Sequence, residues 1–264
     1  MIVMFIGDIV GSVGRRAVRE ILPELKEKYG PDVVIANAEN AAAGRGITAK
    51  IAQELYDAGV HGITMGNHTW ANKDIFEFID RDPRIVRPAN FAPGVPGRGA
   101  AIIRSGRHEL GVINLIGRTY MDPADDPFRT VAAILDGWKG AVKHVLVDFH
   151  AEATSEKISM GWFLDGKVSA VVGTHTHVQT RDERILPKGT AYITDTGMVG
   201  PLDGVLGMEK EAVIGRFLSQ MPARFVVAEG SWQFNAVLLE LDEVSGMAKS
   251  IKPIRIYEED WMLR

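Results

Sequence analysis

Two separated stretches, Gly66-Asn67-His68 and Gly173-Thr174-His175-Thr176-His177, carry side chains of the kind that bind metal ions. Each follows an apolar run ending in glycine, which places it in a loop at the carboxyl end of a strand, where open α/β sheets hold their sites. Three further strand-like runs, residues 3–8, 33–40 and 145–150, also end in polar or ionisable side chains. Together the five ends offer Asp8, Glu39, Asn40, Asn67, His68, His150, His175 and His177, a set of oxygen and nitrogen donors without sulfur. Such a set is expected to assemble a two-metal hydrolytic centre.

Oxygen and imidazole donors suit borderline divalent metals. A carboxylate shared between two cations offers both of its oxygens, and Glu39 is expected in that role. Asp8 supplies the second negative charge, Asn67 a neutral carbonyl oxygen, and His150, His175 and His177 the nitrogens. Two divalent ions outweigh two carboxylates, so an anionic phosphate is drawn in. His175 and His177 project to one face of an extended segment. They can nevertheless serve different metals, because a pair about 3.5–4 Å apart is narrower than the reach of two imidazoles. The expected nucleophile is a metal-held hydroxide, since coordinated water loses its proton near neutral pH. His68, next to Asn67, is expected beside the metals as phosphate clamp or as acid to the departing alkoxide, a contribution of about 10²–10⁴-fold.

Several of these residues have a plainer reading. Asp8 alone can cap a following helix, and Asn40 and Asn67 can hold turns. Glu39 is harder to dismiss, because an acid at a buried strand end needs a partner. The glycines of segment 7–14 tempt a phosphate-loop reading, but the pattern is neither G-x-G-x-x-G nor a Walker loop, so a turn role is expected. Gly44-Arg45-Gly46 is a flexible tip whose cation either meets substrate or faces solvent. Trp70, Phe149 and Trp162 either stack on a base or belong to the core. His61, His108 and His144 follow no strand-end pattern and are expected to be structural.

The elements that must position these groups read as alternating strands and helices in the first half. Strands are expected over 2–6, 33–38 and 62–65, with helices over 16–29, 49–58 and 73–81, the pattern of a parallel sheet under crossovers. Gly30-Pro31 stops the first long helix. The Pro- and Gly-rich segment 87–99 is an ordered connection. Strands are expected at 100–104, 111–115, 142–148, 168–173, 191–195, 234–241 and 248–256, with helices over 128–139 and 210–219. The late strands are expected to form a second, more antiparallel sheet packed on the first.

At 264 residues, 46% apolar and 24% charged, the chain has the composition of one large soluble domain spanning 1–264. Its net charge of −4 offers no basic surface for a long nucleic acid. There is no cysteine, hence no thiolate site or disulfide framework. No signal-peptide pattern and no run of roughly 20 apolar residues is present, so a cytoplasmic, membrane-free protein is expected. Trp261 and Met262 are a possible homo-oligomer contact or a packed tail.

The strand-end Asp, Asn-His and His-x-His motifs resemble the calcineurin-type metallophosphoesterase superfamily. In that superfamily the first motif is usually Asp-x-His, whereas Ile9 and Val10 follow Asp8 here, Glu39 stands for the usual bridging Asp, and Thr69 stands where an acid is common. These departures, with Phe5-Ile6-Gly7-Asp8, Glu39-Asn40-Ala41-Ala42, Thr64-Met65-Gly66-Asn67-His68-Thr69-Trp70, Arg87-Pro88-Ala89-Asn90-Phe91, the stretch 148–157 and the stretch 172–180, resemble the YmdB-like bacterial phosphodiesterases over the whole chain. The resemblance implies a two-sheet α/β sandwich flanked by helices. It implies metal-dependent hydrolysis of small phosphodiesters, notably 2′,3′-cyclic nucleotide monophosphates, with iron or manganese foremost and zinc as a further candidate. It also implies a ligand division: Asp8, Glu39, Asn40 and His177 on one metal, Glu39, Asn67, His150 and His175 on the other, and His68 as acid or clamp. The rival functions are a non-catalytic metal- or nucleotide-binding regulator and a phosphomonoesterase.

Overall fold

In the computed structural model, which describes residues 1–263, the first strand is buried on both faces. Met4 and Ile6 join an apolar layer with the first helix, while Val3 and Phe5 join a layer with a second sheet. A strand covered on both sides carries an unbroken apolar run, as here. In chain order, β1 (Ile2–Ile6), β2 (Asp8–Ile9), α1 (Gly11–Tyr29), β3 (Val33–Asn37), α2 (Ala49–Asp57), β4 (Gly62–Thr64) and β5 (Ile85–Val86) come first. Next are β6 (Ala100–Ser105), β7 (His108–Ile116), α3 (Pro127–Gly137), β8 (Val145–His150), α4 (Thr154–Leu164) and β9 (Ala170–Thr174). The chain continues through β10 (Arg184–Ile185), β11 (Ala191–Ile193), β12 (Met198–Pro201), α5 (Lys210–Ser219), β13 (Trp232–Leu241), β14 (Ala248–Tyr257) and α6 (Glu258–Met262).

One sheet runs β2-β12-β13-β1-β3-β4-β5, with β14 on the far side of β13, and the other runs β10-β11-β9-β8-β7-β6. Helices α1 and α2 cover the first sheet through Val18, Ile21, Leu22 and Leu55. Helices α3 and α4 cover the second through Val131, Met160 and Leu164. The layers are therefore helix, sheet, sheet, helix, as expected.

The expected origin of the second sheet is wrong. Strands β13 and β14 extend the first sheet, β13 antiparallel to β1 and β14 antiparallel to β13. The second sheet comes from the middle of the chain, and its inner pairs β7–β8, β8–β9 and β9–β11 are parallel. Parallel neighbours need a crossover, which α3 supplies between β7 and β8 and α4 between β8 and β9. The helix over Thr154–Leu164 was not expected, nor was β12. Gly161 interrupts the apolar pattern of α4 for a packing reason, since a Cβ there would meet the Tyr192 ring at 2.5 Å. Other bounds shift: α1 begins at Gly11, and only a 3₁₀ turn over Lys73–Glu77 stands where a helix was expected. Gly30 ends α1 in the left-handed conformation at φ 56°, the backbone shape that favours glycine.

Candidate metal centre

Alternation along the strands decides which donors meet. Leu146 and Val172 lie in the layer between the sheets, with Val33 and Ile35 facing them. Counting in twos toward the carboxyl ends puts Asp148 and His150, Thr174, and Asn37 on that same inner face. The interior thus turns from apolar to polar at one edge of the sandwich. Asn37 Nδ2 donates to Asp148 Oδ2 at 3.1 Å and to the Met65 carbonyl at 3.0 Å. Thr174 Oγ1 donates to Asp148 Oδ1 at 2.7 Å, which leaves its oxygen to accept from His150 Nδ1 at 2.9 Å. His150 Nε2 is therefore the ring nitrogen turned to the site.

That nitrogen lies 2.9 Å from Asn67 Oδ1, 3.1 Å from Glu39 Oε1 and 3.1 Å from His175 Nδ1. The ligand atoms of Glu39, His150 and His175 all fall within 4.8 Å of one another. A single proton cannot serve four converging lone-pair atoms, whereas a cation can. Beside them, Asp8 Oδ1 is fully buried without a hydrogen-bond partner. It sits 4.0 Å from His177 Nε2 and 3.8 Å from His150 Nδ1, and Asp8 Oδ2 accepts the His175 N–H at 3.1 Å. An orphaned, buried carboxylate oxygen facing imidazoles is what a metal ligand looks like before its ion is added. The donor set fits divalent metals on this ground.

The outward nitrogens of the other two imidazoles are also held. His175 Nε2 meets Glu152 at 3.1 Å, and His177 Nδ1 donates to the Leu206 carbonyl at 3.0 Å. Fixing the outer nitrogen fixes which nitrogen faces inward. One sequence expectation changes here. The His-x-His segment is not extended, because β9 stops at Thr174 and both His175 (φ 98°) and His177 (φ 66°) are left-handed. Each such backbone costs about 1–3 kcal/mol and persists only when its surroundings over-determine it. Asp195 provides that hold: Oδ2 accepts from Thr176 N at 3.1 Å, Thr176 Oγ1 at 2.7 Å and Lys157 Nζ at 2.7 Å, and Oδ1 accepts from Gly197 N at 2.8 Å.

Glu39 turns Oε1 to His150 at 3.1 Å, and its Oε2 accepts the His68 N–H at 2.7 Å. Gly66 makes this approach possible, since a Cβ there would stand 2.4 Å from Glu39 Oε2 and 2.5 Å from His150 Nε2. Asn40 turns its oxygen to His68 Nδ1 at 2.7 Å and its amide nitrogen to His177 Nε2 at 3.2 Å. A half-turn of the amide exchanges the two. Asp8 is no helix cap, because Val10 holds that position in α1 without a side-chain bond.

Charge and burial act together. Burial opposes ionisation of Glu39, yet the charges and hydrogen bonds of His150 and His68 hold its carboxyl well below the usual range. Burial also opposes a charge on His150, but Glu39, Asp8 and Asp148 override it and push the imidazole up to about 9. Burial, then the neighbouring His150 charge, pushes His175 down to about 3. Burial pushes Asp148 up to about 6. A site that draws a proton onto a buried imidazole is one of strongly negative potential, suited to a cation.

Glu39, Asn40, His68, His175 and His177 open onto one cavity of about 1250 Å³. Arg45 lines it too, which settles the Gly-Arg-Gly tip as part of the site region. Trp70 stacks on Phe76 with ring centroids 5.3 Å apart, Phe149 is core, and Trp162 lies under Arg184; none lines the cavity. Gly7 and Gly14 serve close packing, since Cβ atoms there would stand 2.0 Å and 2.2 Å from the carbonyls of Gly197 and Val199. His61 accepts from Val34 N, His108 pairs with Asp32, and His144 bonds the Asp242 carbonyl, all structural as expected. Asn37, Asp148, Glu152, Thr174, Lys157 and Asp195 were missed. Asp148 and Asp195 could have been found, since each ends an apolar strand-like run.

Known proteins resemble this chain over almost its full length. The YmdB-like protein family matches residues 4–254. A 2′,3′-cyclic-nucleotide 2′-phosphodiesterase of Bacillus subtilis (strain 168) is 52% identical over 259 residues, covering 98% of this chain and 98% of that protein. The crystal structure of a novel phosphatase from Mycoplasma pneumoniae has a TM-score of 0.92 at 35% identity, covering 100% of this chain and 96% of that one. At 11% identity and a TM-score of 0.57, over 97% of this chain and 90% of that one, the calcineurin-like phosphoesterase YfkN from Bacillus subtilis shares the fold. The Glu39–His150–His175 group is a candidate place for a metal ion. With strand-end donors converging at one edge of this sandwich, and the match running over almost the full length, the protein belongs to the YmdB-like family.

Proposed function

We propose that this protein is a metal-dependent phosphodiesterase acting on small cyclic phosphodiesters, 2′,3′-cyclic nucleotide monophosphates foremost. The observation that carries the reading is the convergence of Glu39 Oε1, Asn67 Oδ1 and His175 Nδ1 on His150 Nε2 within 3.1 Å, beside the orphaned Asp8 oxygen. The name of the Bacillus subtilis relative agrees with it. Glu39, Asn67, His150 and His175 would hold one ion, and Asp8, Glu39, Asn40 and His177 the other, with iron or manganese as the expected metals. Two such ions supply Lewis acidity toward a phosphoryl oxygen and acidify water near neutral pH.

The chain's own contribution is orientation and a proton. His68 lines the cavity, and its Nδ1–H is held by Asn40 Oδ1 at 2.7 Å, which leaves Nε2 for substrate. As an acid His68 must enter the step doubly protonated: its Nε2–H clamps the phosphate and passes its proton to the departing ribose oxygen as the oxygen of a water bonds to phosphorus and the P–O bond to the ribose breaks. His68→Ala is expected to lower kcat about 10²–10⁴-fold while both metals remain bound. Product formation from adenosine 2′,3′-cyclic phosphate with Mn²⁺ or Fe²⁺, beside a phosphomonoester control, tests the reading. Tight nucleotide binding with no product would move the protein to a regulatory role, and preferential monoester turnover would make it a phosphatase.

A further inference from the structure

The cavity runs well beyond the metal cluster. About 1250 Å³ exceeds the roughly 300–1,000 Å³ usual for small-molecule sites. Its far wall is α5 and the chain after it, where Arg216 and Arg224 stand with Phe217 and Phe225, and Arg45 lies on the near side. Arg216 is held over the Phe225 ring, 5.4 Å from its centroid. Among the described residues none of these three guanidinium groups is ion-paired to a carboxylate. The acids on the lining are Glu39, inside the cluster, and Glu152, engaged by His175. Three positive charges thus line the cavity with no carboxylate within ion-pair distance of them, the one acid outside the cluster being Glu152.

A mononucleoside 2′,3′-cyclic phosphate carries one negative charge, and that charge belongs at the metals. We propose that Arg45, Arg216 and Arg224 form a second phosphate site, so that the substrate carries a further phosphate on the 5′ side of its cyclic one. The inference rests on the phosphodiesterase reading above. Arginine forks match phosphate oxygens bidentately. Phe217, 82% exposed on the cavity wall, offers a face on which an adjacent base stacks. The phosphate belongs either to a 5′-phosphorylated mononucleotide or to the internucleotide link of a short oligoribonucleotide. On a chain of net charge −4 the attraction is local to this rim, which suits a short ligand.

The test compares Mn²⁺-loaded protein on adenosine 2′,3′-cyclic phosphate, its 5′-phosphorylated form, and the dinucleotide ApA ending in a 2′,3′-cyclic phosphate. The second phosphate is expected to raise kcat/KM by about tenfold or more, the scale of one charge-assisted hydrogen bond, and the substrate that gains identifies its source. In the double variant Arg216→Ala, Arg224→Ala the ratio to the unphosphorylated substrate is expected to fall to near one. A wild-type ratio near one, or a ratio that survives in the variant, overturns the proposal. If nothing is cleaved, the phosphodiesterase reading fails by itself, and calorimetry decides the second site. Adenosine 3′,5′-bisphosphate or ApA 3′-phosphate should then bind about tenfold more tightly than adenosine 3′-monophosphate. The log–log salt slope should steepen by about 0.7 per added phosphate contact. Equal affinities and equal slopes overturn it.

Discussion

Each imidazole of the metal cluster has its second nitrogen held by another group, and the loop that presents two of them is pinned by a buried ion pair. The α5 wall across the same cavity is built differently: Arg216, Phe217 and Arg224 are exposed, with no carboxylate against the cations. Chemistry that depends on sub-ångström placement sits on strand ends whose backbone the two sheets fix. Recognition, which tolerates adjustment, sits on a helix and loop that face solvent. The difference teaches that rigidity here is local to the reacting end, and that the two sides should answer mutation in different currencies: activity and stability on one, substrate preference on the other.

The largest effect expected is at Glu39. Glu39→Gln removes the charge that faces His150 and should lower both metal content and turnover by more than the 10–100-fold typical of groups behind the ligands. Elemental analysis beside turnover would read this, and full metal content in the variant would break the comparison. Next is Lys157→Met, which strands Asp195 as a buried charge behind the His-x-His loop. Leaving one partner of a buried pair costs about 3–5 kcal/mol, measurable by denaturant unfolding. A loss similar to that of a surface substitution would mean the loop is not held as described.

A smaller effect is expected at Asp182. Burial raises its pKa, but hydrogen bonds from the Thr180 and Thr194 hydroxyls and from Thr194 N–H outweigh this and keep the carboxyl below its ordinary range. A folded-state value below the unfolded one makes the stabilisation complete above about pH 4 and lost as pH falls through the folded value. Asp182→Asn should therefore flatten the drop in melting temperature on acidification, and an unaltered acid profile would show that this carboxyl contributes nothing. The smallest effect belongs to the α5 wall. Phe217→Ser, at a side chain 82% exposed, should change stability by no more than about 0.5 kcal/mol. A large loss there would show the wall to be part of the folded core, and would erase the contrast.

Much of the cluster was legible because a strand declares itself locally. An apolar run that ends in Asp, Glu, Asn or His marks both an element and the place where it reaches solvent, and Asp8, Glu39, Asn67, His150 and His175 were all visible that way. Asp148 ends the apolar run of its strand as well, but His150, two residues further on, is the more conspicuous donor, and the face count from Leu146 is what shows that Asp148 too points between the sheets. Lys157 was hidden in a helix whose apolar pattern Gly161 interrupts, so the partner of Asp195 had no signal of its own. The second sheet was misassigned because pairing depends on crossovers, and α4 was the crossover not seen.

By itself the sequence determined which residues lie at strand ends and what donors they carry, since side-chain alternation and the end of an apolar run are properties of adjacent residues. Tertiary structure alone decided which nitrogen of each imidazole turns inward, that Glu39 meets His150 with one oxygen and the His68 amide with the other, that residues 232–257 extend the first sheet, and that three arginines share the cavity. Those outcomes depend on contacts between segments far apart in the chain, such as His175 with Asp8 across 167 positions. No local pattern encodes such a contact, because it exists only after both sheets have buried their common face.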